Sequence, residues 1–161
     1  MERVERRLQV GPTVAIVGTV LAAACSGGLL AVPGRQWYRE LDKPKWQPPA
    51  AVFAPIWTTL YILAGASPVV AWHTTPPPER RSLFTIFGLN AVLNASWTGC
   101  FFRARRPWLA TADSAALLGT TVALIARTRH HSGFASTALM PYAAWTAFAT
   151  ALSGEIARRN R

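Results

Sequence analysis

The sequence predicts an all-α fold: an integral membrane bundle of five transmembrane helices, forming a single domain over residues 1–161. Three observations predict it. The chain is 51% hydrophobic and only 15% charged. Its 17 Lys and Arg residues are gathered in six clusters. Between the clusters lie five stretches free of Lys and Arg, at about 13–32, 51–72, 83–102, 107–126 and 133–156. Each has the roughly 20 residues that a helix needs to cross a hydrocarbon core about 30 Å thick. Helices of a soluble bundle would carry polar outer faces rich in Lys and Glu. The five stretches hold only two acids, Asp113 and Glu155, the latter near a span end.

The first stretch follows the Arg-rich "MERVERR". It is longer than the apolar region of a signal peptide and four more spans follow, so it is read as a retained first helix. Its "AAACSGG" run lets helix backbones approach closely. Cys25 and Cys100 both fall inside spans, with no CxxC pair and no His/Cys metal spacing, and are read as small packing residues. The segment "WYRELDKPKWQPP", Trp37 to Pro49, joins spans one and two. Its successive prolines restrict it to extended shapes.

The second span carries Trp57 and Tyr61 at i, i+4, a small-residue "AGAS" run, and Pro68, which removes a helical hydrogen bond. "HTTPPPERR" reads as a stiff hairpin loop. In the third span Asn90, Asn94 and Trp97 share one helix face at i, i+4, i+7. "RARRP" turns the chain into span four, with Pro107 suited to the first helical turn. Span four holds Asp113, which must be paired, hydrated or protonated. No cation lies at its level, so a hydrogen bond to a Ser, Thr or Trp of a neighbouring helix is expected. "RTRHHSG" leads into span five, which carries Pro141, Tyr142, Trp145 and Phe148.

Five spans put the termini on opposite sides. Spans two and four begin, and spans three and five end, on the side of the Trp37–Pro49 loop. At about 1.5 Å per residue, Trp57, Trp97 and Asp113 lie roughly 9 Å below that face, Asn94 about 13 Å, Tyr61 about 15 Å and Trp145 about 16 Å. The polar and aromatic exceptions of four spans thus gather in one half of the membrane, which suggests a cavity with the loop as its lid. Packing remains an alternative: Trp57, Trp97 and Trp145 either line that cavity or bond their indole N–H to a neighbouring helix, and Asn90 and Asn94 either face it or bridge helices. Trp72 and Trp108 sit at span ends as interface anchors. His73, His130 and His131 fall in loops, either solvated or available to haem iron.

The cations flank membrane spans, where they meet anionic headgroups; nucleic acid is not an expected partner despite the net charge of +10. The loop-side clusters hold ten cations and the opposite clusters seven. The positive-inside rule then puts the loop and the C-terminus in the cytoplasm.

The stretch "WYRELDKPKWQPPAAVFAPIWTTLY" resembles the signature of the translocator protein family, also called tryptophan-rich sensory proteins or TspO/MBR. The pattern W-Y, L-x-K-P-x-W-x-P-P, V-F, W-x-x-L-Y is met by Trp37-Tyr38, Leu41, Lys43-Pro44, Trp46, Pro48-Pro49, Val52-Phe53, Trp57 and Leu60-Tyr61. Asn94 to Phe102 resembles the family's third helix, "ATADSAALL" the fourth and "LMPYAAWTAFATAL" the fifth. The resemblance implies a multi-pass protein, often a homodimer, of a bacterial cell membrane. It implies a sensory or regulatory role, with porphyrin, haem-like tetrapyrrole or isoquinoline-type ligands held under the first loop, and no resident cofactor. Candidate ligand-binding residues are Trp37, Tyr38, Trp46, Pro48, Trp57, Tyr61, Asn90, Asn94, Trp97, Trp145 and Phe148. Arg35, Arg39, Lys43 or Lys45 would meet the propionates at the rim. Family members that degrade porphyrins in light use tryptophans matching Trp57 and Trp145, so a porphyrin-degrading enzyme is one alternative and a transporter another. Gly154 and Ser153 stand where the family's sterol motif has Tyr and Asn, so sterol binding is not expected.

Overall fold

The structure, a computed structural model, describes residues 11–22 and 34–161, and among these every regular element is helical. The elements are α1 (Gly11–Ala22), α2 (Arg35–Glu40), α3 (Ala50–Thr74), α4 (Pro77–Thr98), α5 (Pro107–Thr128) and α6 (Gly133–Arg159). Gly99–Arg103 extends α4 as a widened π turn. Residues 23–32 of the expected first span, with Cys25 and all of the "AAACSGG" run after Ala22, lie outside the described residues.

Two helices, α3 and α5, are long and apolar enough to cross a membrane. At 22 and 27 residues, α4 and α6 are also long enough, but charges sit in their end turns: Glu79, Arg80 and Arg81 in α4, and Glu155, Arg158 and Arg159 in α6. Gly11–Ala22 is shorter.

The expected hairpin "HTTPPPERR" is nearly all helix. Only Thr75 and Pro76 separate α3 from α4, because Pro77 and Pro78 occupy the first helical positions, where a missing N–H costs nothing. Nor is the Trp37–Pro49 segment extended throughout. Its first residues form α2, and a turn closes at Gln47 N–H donating to the Pro44 carbonyl at 3.0 Å. Pro55 and Pro68 are both accommodated within α3, and Pro141 within α6.

α5 packs along α6 and α4, and α6 also packs along α3, whereas α3 and α4 barely touch. α1 leans on α3 where Val20 meets Gly65: a Cβ at Gly65 would sit 3.3 Å from Val20 Cγ1. At the end opposite the loop, Ala71, Leu83, Leu124, Ala135 and Leu139 form a buried core. There Ser67 Oγ donates to the Ala135 carbonyl at 2.7 Å, joining α3 to α6. The π turn swings Phe101 and Phe102 toward α2, and Gly34 packs so closely that a Cβ there would fall on the Phe102 backbone. Glycine is required at that position for close approach rather than for its dihedral freedom.

Candidate functional site

The aromatic residues singled out in the sequence do converge at the loop end of the bundle, in two adjoining groups. The first is centred on Trp57. Trp57 and Tyr61, one turn apart on α3, stack at 5.3 Å between ring centroids and 29° between planes. Trp145 of α6 meets Trp57 edge-on at 6.4 Å and 89°. Tyr142 does the same at 6.4 Å and 70°. Phe148 lies 5.2 Å from Trp145, and Trp46 of the loop rests edge-on upon Phe148 at 5.7 Å. Trp46 is half exposed, so the loop lays one aromatic ring over this group like a lid.

The second group surrounds Phe101, which is 2% exposed. Trp97 stacks on it at 5.3 Å, Trp37 approaches edge-on at 5.7 Å and Tyr38 at 5.9 Å. Burial raises the pKa of the Tyr38 hydroxyl above its usual value, against a smaller opposing hydrogen bond from Gln47. Pro48 is half-buried in the loop beside these groups. Phe53, Phe101 and Tyr142 are site members that the sequence reading left out of its candidates. Phe53 lies one turn before Trp57 and contacts Trp145 at 5.7 Å; that i, i+4 spacing was the available signal.

A polar layer underlies the first group. The Tyr61 hydroxyl donates to Asn94 Oδ1 at 3.1 Å, and Asn94 Nδ2 donates to the Tyr142 hydroxyl at 2.7 Å. Three helices are thereby tied at one level. Asn90 does something else. Its Nδ2 donates to the Thr120 and Thr121 hydroxyls, each at 2.9 Å, and bridges α4 to α5. Asp113 accepts a 2.6 Å hydrogen bond from Ser96 Oγ, so its partner is a hydroxyl of a neighbouring helix. Against the packing alternative, the indole N–H groups of Trp97 and Trp145 are buried without a hydrogen-bond partner among the described residues. Groups left so carry a desolvation cost of about 1–3 kcal/mol unless something else accepts from them.

The loop is clasped to the end of α6. The Asp42 N–H donates to Asn160 Oδ1 at 2.9 Å, and Asn160 Nδ2 donates back to the Asp42 carbonyl at 2.9 Å. Lys43 is not the free rim cation expected of it. Its Nζ donates to the carbonyls of Tyr38, Arg39 and Leu41 at 2.8, 3.0 and 2.7 Å, capping α2. Arg39 and Lys45 remain exposed at the rim. The side chain of Arg35 lies outside the described residues.

Directly beneath the loop these rings pack against one another. A cavity of about 230 Å³ instead lies on the other side of the Tyr61–Asn94–Tyr142 layer, where α3 and α4 diverge under α1. Of the candidate residues only Tyr61, Asn90 and Asn94 reach it.

Comparison with known proteins shows the family. The family model described as the TspO/MBR family matches residues 15–159. The chain is 34% identical over 144 residues to a protein named tryptophan-rich protein TspO from Archaeoglobus fulgidus, covering 87% of this chain and 91% of that one. It is 34% identical over 158 residues to the translocator protein of Ovis aries, covering 93% and 92%, and 33% identical over 156 residues to that of Homo sapiens, covering 92% of each.

Proposed function

The chain belongs to the TspO/MBR family of membrane proteins, and from that premise we propose that it is a five-span protein of one domain that binds tetrapyrroles beneath its first loop in a sensory or regulatory role. The observation that carries the reading is the Trp57 group: stacked and edge-on rings under a loop tryptophan, with a buried indole N–H on Trp145 that has no partner among the described residues. A tetrapyrrole offers a wide apolar face for such rings and polar atoms for such a donor. Its propionates reach the rim, where Arg39 and Lys45 are exposed and charged.

Drug-sized ligands occupy pockets of about 300–1,000 Å³, so a tetrapyrrole enters only if the rings beneath the loop part. The start of the loop is anchored by Trp37, Tyr38 and Leu41 on the Phe101 cluster, so the part that moves is the stretch around Trp46, which touches the bundle through Phe148. The polar layer of Tyr61, Asn94 and Tyr142 then forms the floor. Titration of the detergent-solubilised protein with protoporphyrin IX, followed by tryptophan quenching, tests the reading. Saturable quenching that cholesterol does not compete away supports it; linear quenching identical to that of free tryptophan refutes it.

One observation favours a second reading, light-driven porphyrin degradation. Trp57 and Trp145 are in edge contact, so one bound porphyrin would touch both indoles. Loss of porphyrin absorbance under illumination with oxygen, beyond that in protein-free micelles, tests it.

A further inference from the structure

We propose that the cavity on the far side of the Tyr61–Asn94–Tyr142 layer is a second ligand site, for a one- or two-ring apolar molecule carrying a single hydrogen-bond acceptor such as a ketone. The two sites share the layer as a partition, so the proposal does not depend on tetrapyrrole binding.

Size sets the class of ligand. An apolar cavity of about 150 Å³ takes up benzene, so 230 Å³ suits a fused pair of rings and excludes a tetrapyrrole. The walls set its chemistry. Phe84 and Phe87 of α4 supply aromatic faces, Pro68 and Ala64 of α3 face them, and Val20 of α1 closes the side. Such walls favour a flat apolar body.

One end of the cavity is polar, and it is a donor end. The Tyr142 hydroxyl, on a residue 3% exposed, accepts from Asn94, and its own proton has no acceptor among the described residues. Asn94 is 8% exposed and spends one amide hydrogen on Tyr142, leaving its second without an acceptor among the described residues. Both residues line the cavity, so two spare donors meet at its end. Burying a donor without an acceptor is unfavourable, and a ligand carbonyl relieves it.

The entry route fits the same chemistry. Thr19 on α1 and Gly88 on α4 line the cavity and are both exposed, so it opens between these helices, along their sides rather than toward the loop. In a membrane that opening faces lipid, where an apolar ketone concentrates. The opening is clear at Gly88, where an added Cβ would meet nothing within 4 Å.

The test uses the full chain in detergent micelles and two probes of nearly equal shape, 1-tetralone and tetralin. Binding is read by saturation-transfer NMR, with empty micelles subtracted. The wild type is expected to bind 1-tetralone saturably and tetralin about fivefold more weakly, the loss of one hydrogen bond. Tyr142→Phe is expected to weaken 1-tetralone about fivefold and leave tetralin unchanged. Gly88→Phe adds a ring at the cavity lining, from a position where a Cβ meets nothing within 4 Å, and is expected to abolish both, with protoporphyrin quenching unaltered; Ala91→Leu, on the same face of α4, is the second blocking variant. Saturable 1-tetralone binding that survives both blocking variants overturns the proposal. So does equal binding of the two probes by the wild type, or no saturable binding at all.

Discussion

Asn160→Ala should open the loop without loosening the bundle. The Asn160 amide exchanges two hydrogen bonds with the backbone of Asp42, both at 2.9 Å, across 118 residues of sequence. Alanine removes both. An exposed hydrogen bond contributes about 0.5–1 kcal/mol net, so the clasp is worth about 1–2 kcal/mol, a factor of roughly 5–30 in the closed-to-open ratio. The Arg159–Asp42 pair at 3.5 Å survives the change, but it is exposed and adds less than about 1 kcal/mol. Moderate salt reduces it further. Amide hydrogen exchange reads the effect directly. The Asp42 amide should exchange roughly 5–30-fold faster, and the loop over 43–49 should follow, while amides around Leu117 and Leu124 in α5 stay protected. Tetrapyrrole association, measured by stopped-flow quenching, should accelerate by a similar factor if opening limits entry. An unchanged Asp42 amide would refute the clasp; acceleration spread evenly through α5 and α6 would mean that Asn160 supports the whole bundle.

Other substitutions probe other elements. Asp113→Asn keeps an acceptor for Ser96 Oγ, so melting temperature and protoporphyrin affinity should both hold; lost affinity with the fold intact would put Asp113 in the ligand site. Gly34→Ala drives a Cβ into the Phe102 backbone and should cost about 1–3 kcal/mol in denaturant unfolding, whereas Gly119→Ala, which meets nothing, should be neutral or slightly stabilising. A reporter fused after Arg161 should be active only in the cytoplasmic form, given the excess of cations on the loop side; activity outside alone reverses the orientation.

Much of this architecture is legible because lipid is a demanding solvent. Runs without Lys or Arg mark α3, α5 and most of α4 and α6, since a charge at depth costs several kcal/mol. The Trp57, Tyr61 and Trp145 convergence followed from counting residues down each helix, because the rise per residue is constant. What stayed hidden depended on partners that spacing does not name. Asn90 and Asn94 share one face, yet one faces the threonines of α5 and the other two tyrosines on α3 and α6. Lys43 looked like a rim cation because the six-residue α2, whose carbonyls it caps, has no apolar period of its own. Pro77 and Pro78 were read as loop because proline both breaks helices and starts them. The lower cavity was not told apart from the upper group, since Tyr61, Asn90 and Asn94 were assigned to one site beneath the loop and the small residues Gly88 and Ala91 of α4 drew no reading.

The most direct test of the central claim is a tetrapyrrole titration of three matched variants, Trp57→Phe, Trp145→Phe and Trp72→Phe. The first two lose stacking area in the Trp57 group, and the second also loses the unpartnered indole N–H. Stacking on an aromatic side chain is worth about 1–3 kcal/mol by analogy with nucleobases, so a change to phenylalanine should cost about 1 kcal/mol, near a fivefold weakening. Trp72 lies at the other end of α3, against Phe84 and under the Arg80 guanidinium, and its substitution should leave affinity unchanged. Fivefold losses at Trp57 and Trp145 with none at Trp72 are the predicted result. Equal losses at all three would contradict it and place the tryptophans in general bundle stability rather than in a ligand site.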